Sequence, residues 1–258
     1  MKIFDSHLHI IDPRFPLTAN NGYLPEPFPA DQYLATSNSL GICAGAVVSG
    51  SFQQFDQQYL LAALATLGSG FVGVTQLPAD VSDATLFQLD KAGVRAVRFN
   101  LYRGGSESVS ALREMAARIH DLLGWHVELY IDSRDLAELY PVLSTLPAVS
   151  IDHLGMHPDG LTDLLRLAAR GAHIKATGFG RVELDVADTI QQILNTNPDV
   201  LMFGTDLPST RARRPFSTND IRLLEQIIEP ALLGKVMYDN AARFYRLPAQ
   251  MFTQPPGD

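Results

Sequence analysis

Apolar positions along the chain alternate between two periods. The short runs "KIFDSHLHI" from Lys2, "GAVVSGS" from Gly45, "FVGVTQL" from Phe71 and "VRAVRFNLY" from Val94 are followed by "HVELYID" from His126, "VSIDHLG" from Val149, "HIKATGFG" from His173 and "VLMFGTD" from Val200. Rich in β-branched and apolar residues, these eight runs predict strands. Between most of them lies a stretch of helical spacing, as in "SALREMAARIHDLLG", where Leu112, Met115, Ile119, Leu122 and Leu123 make one apolar face. Strand and helix alternating eight times is the pattern of an α/β fold of the (β/α)8 TIM barrel type, a single domain placed at residues 1–247. A doubly wound open sheet shares the alternation.

Two stretches leave the repeat. The connection from Asp12 to Ala30 carries five prolines and the run Asn20, Asn21, Gly22, so it predicts a long loop, placed over the barrel mouth. The segment 248–258 is short, polar and proline-rich, and predicts a flexible tail.

Composition narrows the partners. Apolar residues make up 46% of the 258, enough for a sizeable core, and 19% are charged, which argues against disorder. The formal charge is −8 and the basic residues are scattered apart from Arg211, Arg213 and Arg214, so no nucleic-acid partner is expected. A single cysteine, Cys43, excludes an internal disulfide and a multi-cysteine metal site, fits a reducing compartment and is expected to be buried packing. No run has signal-peptide shape or the length of a membrane span, so the expected location is cytoplasmic, with no membrane partner. Apolar helix faces leave a homodimer open.

Polar residues then discriminate between the two folds. His7, His9, Arg98, Asn100, Tyr130, His153, Lys175 and Asp206 stand near the C-terminal ends of the predicted strands, where a barrel builds its active site. An open sheet would gather such residues at one switch point instead. Asp206, after the last strand, suits a carboxylate that holds a water and accepts its proton, although an Asp there can also cap a helix. Alternation lets only one of Asp152 and His153 face inward. His120, His126, His157 and His173 lie away from the strand ends.

The His-x-His of the first strand, "RFNLYRGG", "SIDHLG", "KATGFGR" and "FGTDLP", closed by "YDNAARFYRL", resemble the amidohydrolase superfamily over nearly the whole chain. Within it, with "GSFQQFDQQYL" as a further likeness, the chain is similar to the branch of the 2-pyrone-4,6-dicarboxylate lactonases. The resemblance implies a hydrolase that opens a carboxylated lactone by water attack. Asp206 would be the base; His7, His9 and His153 would polarise the carbonyl and Tyr130 would orient the substrate. It also implies that Arg98, Arg103 and Arg181, with Asn100 and Lys175 beside them, hold a small anionic substrate.

Departures from the family pattern matter as much. Tyr130 stands where metal-dependent members place a fifth-strand histidine, and Arg98 and Asn100 are poor ligands on the fourth strand, so catalysis without a metal cofactor is the favoured expectation. His7, His9 and Asp206 remain as a Zn or Mn ligand set for the rival reading, a metal-dependent hydrolase or decarboxylase. A further rival is a carboxylate-binding protein without catalysis on the same fold. Met156 replaces the arginine that the branch carries after its Asp-His pair, which favours a substrate with fewer or differently placed acidic groups.

Overall fold

Described over residues 1–248 in a computed structural model, the chain forms one sheet of eight parallel strands, hydrogen-bonded in sequence order. They are β1 (Ile3–Leu8), β2 (Ile42–Val48), β3 (Phe71–Thr75), β4 (Val94–Asn100), β5 (His126–Tyr130), β6 (Val149–Ile151), β7 (His173–Ala176) and β8 (Leu201–Phe203). A helix follows each strand: α1 (Ala30–Ser37), α2 (Gln58–Leu67), α3 (Asp83–Lys91), α4 (Val109–Leu123), α5 (Leu136–Leu143), α6 (Leu161–Ala169), α7 (Val186–Thr196) and α8 (Thr218–Ile227). The (β/α)8 barrel is therefore the fold. The predicted tail lies, from residue 249 on, outside the described residues.

Strand alternation splits the apolar residues into two layers. Val47, Val97 and Phe99 pack outward with Leu60, Leu112 and Ile119 of the helices. Phe4, Ala46, Val72, Val74, Ala96 and Met202 face the interior. There the space is filled by the C-terminal segment: α9 (Pro230–Gly234), a π-turn over Lys235–Asp239 and α10 (Asn240–Phe244) bring Tyr245 against Phe4, ring centroids 5.4 Å apart. This plug leaves the opposite end of the barrel for the polar residues.

Two local expectations need correction. On α4, Leu112, Met115 and Ile119 are buried together with Ala116, but Leu122 is exposed, since it falls outside the stripe that meets the strands. Cys43 is exposed rather than buried. It alternates with the buried Ile42 and Ala44 and points out at the start of β2.

The barrel closes where β1 meets β8, and a side chain does much of the closing. Asp5 is fully buried and accepts hydrogen bonds from Thr205 N at 2.7 Å, Thr205 Oγ1 at 2.6 Å, Tyr33 Oη at 3.0 Å and His7 N at 3.2 Å. Above it, Asp206 N donates to His7 O and His9 N donates to Leu207 O, both at 2.7 Å. Gly204 has to be glycine here, because a Cβ would lie 2.8 Å from His7 N. Between Asp5 and Leu8 the pairing of β1 with β2 shifts register, which frees His7 from a regular ladder. Replacing Asp5 by Ala leaves several buried donors unpaired, and we predict a loss of at least about 3 kcal/mol of stability in urea unfolding.

Candidate active site

His7 lies at the end of β1 with His9 just beyond it, His153 follows β6 and Asp206 follows β8, so three strand ends converge at one mouth of the barrel. The imidazole of His7 lies 5.0 Å from that of His9 and 4.8 Å from that of His153. His7 Nε2 and His9 Nε2 each stand 3.9 Å from Asp206 Oδ1. His7 Nε2, His153 Nδ1 and Asp206 Oδ1 are buried without a hydrogen-bond partner among the described residues. Buried polar atoms in this state ask for a ligand, a water or an ion.

The backbone that presents these groups is strained. Asp206 has φ 63° and His153 has φ 52°, left-handed values that cost a residue with a Cβ. At Gly178, with φ 62°, a Cβ would come within 2.6 Å of His153 Nδ1 and 2.9 Å of Arg181 Nε, so the "TGFGR" loop can wrap the site only with glycine. Arg181 donates from Nε to Asp206 Oδ2 at 2.9 Å and also from Nη2, which in turn reaches Thr210 O at 3.0 Å. One carboxylate oxygen is thus held and the other is left facing the histidines.

Behind the histidines lies a buried ionic layer that sequence reading only partly located. Lys175 is fully buried and donates to Glu128 Oε2 at 2.5 Å. It therefore stands behind His7, with Nζ 3.3 Å from His7 Nδ1, rather than among the arginines that border the cleft. Arg98 donates to Asp152 Oδ2 at 2.7 Å and to Ser49 O at 2.6 Å. Asp152 and His153 both turn inward, contrary to the alternation expected, because β6 stops at Ile151 and the turn that follows reorients His153. Glu128 and Asp152 carried no role in the sequence reading; a charged residue amid "HVELYID" was the available signal for the first.

Burial governs the protonation states. It pushes His7 down to about 3, with Lys175 and Arg98 adding to it and Asp152 opposing. His9 and His153 fall well below the usual range, by burial first and then by nearby positive charge. All three rings are neutral near pH 7. His9 Nδ1 lies 2.7 Å from Val48 O, and a carbonyl only accepts, so His9 carries its proton on Nδ1 and presents a lone pair at Nε2. Asp206 is raised to about 6 by burial, against the pull of Arg181. Burial works against the Asp152 carboxylate too, but His7, Arg98 and Lys175 outweigh it and hold that group well below the usual range. Glu128 rises to about 7, by burial and by repulsion from Asp152.

The mouth opens into a cleft of about 360 Å³ bordered by His9, Arg98, Tyr130, His153, Arg181 and Arg211, with Asn100 and Arg103 on its rim. A neighbouring cleft of about 500 Å³ shares Arg103, Tyr130, Arg181 and Arg211 with it and adds Met156. Of the expected site residues the structure brings together His7, His9, Asn100, Arg98, Arg103, Tyr130, His153, Arg181 and Asp206. Arg211 was visible in the sequence as part of a basic group but had no role there.

A divalent ion is compatible with the donor set. His7 Nε2, His9 Nε2 and Asp206 Oδ1 lie within 4.8 Å of one another, and the lone pair of His9 together with the unpaired Asp206 Oδ1 suits a cation. One feature competes with it, since Arg181 already occupies the other oxygen of Asp206. At His7 the neighbours pull both ways: Lys175 Nζ, which can only donate, and the Asp152 carboxylate, which accepts, each lie 3.3 Å from Nδ1.

Comparison with known proteins supplies the family. The amidohydrolase family pattern matches residues 4–247, and the chain belongs to this family of hydrolytic enzymes. A 2-pyrone-4,6-dicarboxylate hydrolase of Comamonas testosteroni is 28% identical over 93% of this chain and 89% of its own. A 4-sulfomuconolactone hydrolase of Rhizobium radiobacter is 26% identical over 94% and 89%. Among solved structures, one from Acinetobacter baumannii, named as a 2-pyrone-4,6-dicarboxylic acid hydrolase and holding citric acid, superposes with a TM-score of 0.82 at 21% identity, over 95% of this chain and all of its own. No helix among the described residues is long and apolar enough to cross a membrane.

The division of labour on Asp206 is open to direct test. Arg181→Gln removes the charge that opposes burial, so the Asp206 carboxyl should titrate above its present value of about 6 in a carbon-detected NMR titration. An unchanged titration would mean that Arg181 does not set the charge of Asp206.

Proposed function

We propose that this protein opens a lactone bearing an acidic group, through attack of a water that Asp206 deprotonates, with protein groups alone activating that water. The observation that carries the reading is the split carboxylate: Oδ2 of Asp206 is fixed by Arg181, and Oδ1 is buried, unpaired and 3.9 Å from two imidazole nitrogens. Such an oxygen is placed to receive a proton from a water held among these groups. The names of both curated relatives support the substrate class, since each designates hydrolysis of a cyclic ester that carries a carboxylate or sulfo group.

The steps follow from the protonation states. His9, with a lone pair at Nε2, accepts one hydrogen of the water and orients it, and Asp206 Oδ1 takes the other as the water oxygen adds to the lactone carbonyl carbon. A neutral His9 has no hydrogen at Nε2 to give a carbonyl oxygen, so its place is with the water. In the tautomer that accepts from Lys175 at Nδ1, His7 offers Nε2–H to the oxyanion, and His153 and Tyr130 border the same space. The ring C–O bond then breaks, and the leaving oxygen takes the proton held by Asp206. At neutral pH the new acid ionises, which favours the open product. Where a Zn or Mn ion is bound, His7, His9 and Asp206 would hold it and it would supply Lewis-acid charge at the carbonyl.

Asp206→Asn should lower kcat on a carboxylated lactone by about 10²- to 10⁴-fold while the ligand still binds, which separates this enzyme from a binding protein on the same fold. The active base is the charged carboxylate, so kcat/KM should be level above about pH 6 and fall tenfold per pH unit below it. A variant that turns over at the normal rate, or a profile flat down to pH 4, would remove Asp206 as the base.

A further inference from the structure

Four guanidinium groups border the cleft, and two of them are engaged within the protein. Arg98 holds Asp152 and Arg181 holds Asp206. In the neighbouring cleft Arg134 pairs with Asp132, and Arg213 with Glu183. Arg103 and Arg211 are different: among the described residues neither is paired with a carboxylate. Arg103 lies over the ring of Tyr102, 4.7 Å from its centroid. Arg211 lies over the ring of Tyr23, at 4.4 Å, and donates to Asn20 O.

These two residues come from opposite sides of the barrel. Arg103 is on the loop after β4 and Arg211 on the loop after β8, strands half a turn apart in an eight-stranded ring. The loop between β1 and α1 bridges them, since Asn20 also donates from Nδ2 to Arg103 O at 3.1 Å. Both arginines border both clefts, and Arg103 lies close enough to disfavour the charge on Arg211, after burial has done so. Arg211 keeps this position with φ 60°, a left-handed value that costs energy. Two like charges brought together across a cavity, stacked on aromatic rings and without a counter-ion, leave the balancing charge to a ligand. Met156, in the same cleft, has no charge to offer.

We propose that Arg103 and Arg211 clasp an acidic group of the substrate remote from the carbonyl that is attacked, and that Arg211 is the residue by which this chain selects an acid-bearing lactone. The proposal rests on the lactone reading above and names its class: the ring carbonyl lies at the floor, against His7, His9 and Asp206, and the remote acidic group lies at the rim. Arg98 and Arg181 then act mainly by positioning Asp152 and Asp206.

Coumalate, a six-membered lactone with its carboxylate across the ring from the carbonyl, and its uncharged methyl ester serve as probes. Calorimetric binding and ring opening are measured for the wild type, Arg211→Gln and Arg211→Lys, each checked for its thermal midpoint. The wild type should favour coumalate over the ester by about tenfold or more in affinity. Arg211→Gln should reduce that preference to under about threefold, and Arg211→Lys, which keeps a charge but not the fork, should fall between them. A wild type that binds both probes alike or fails to bind coumalate, or a preference untouched by Arg211→Gln, overturns the clasp. Coumalate binding that depends on Arg211 without ring opening supports the clasp and counts against the lactone reading, whereas ring opening indifferent to Arg211 does the reverse.

Discussion

Closure of the barrel at β1 and β8 is the constraint on which the rest of this structure depends. Asp5 provides it from the layer between strands and helices, tying Thr205 of the β8 end to its own strand and to Tyr33 of α1. The same seam sets the chemistry. His7 and His9 leave β1 on one side of it and Asp206 leaves β8 on the other, joined by backbone hydrogen bonds at 2.7 Å. Were the seam to open, the nitrogens and the carboxylate oxygen would lose the 3.9 Å separation that lets them share one ligand. Burial of a carboxylate at Asp5, raised to about 6 by desolvation, is a cost borne at the base of the site so that the mouth is fixed.

Above the seam the site is built from opposed charges, each with a task. Lys175, Glu128, Arg98 and Asp152 form a layer that water does not reach, and this layer decides which nitrogen of His7 carries a proton. Arg181 opposes the rise that burial imposes on Asp206, which favours its charged form. Farther out, Arg103 and Arg211 have no carboxylate partner among the described residues, so positive potential remains at the rim of a chain whose overall charge is −8. On the reading proposed above, an anionic substrate would be drawn to the rim and its reacting carbonyl delivered to the neutral imidazoles within.

Much of this was legible in the sequence. Period-two runs separated by helical spacing gave all eight strands in order, and polar residues at their C-terminal ends marked the active face. His7, His9, His153 and Asp206 stood out because imidazoles and carboxylates are conspicuous at the end of an apolar run. The ionic layer did not, since Glu128 and Asp152 owe their importance to partners on other strands, 47 and 54 residues away along the chain. Strict alternation also misled at Asp152 and His153, where the strand ends a residue earlier than the motif and a turn takes over. Arg211 was hidden for a related reason: only the folded loops show that a basic residue after β8 meets one after β4 beneath the β1 loop.

The most direct test of the account is to measure metal content and turnover on one sample: protein dialysed against chelator, its zinc and manganese quantified, then assayed on a panel of carboxylated lactones. Ring opening at full rate with far less than one ion per chain is the predicted result. Activity that appears only when zinc or manganese is restored, in proportion to the ion bound, would contradict it and make His7, His9 and Asp206 the ligands of a metallohydrolase.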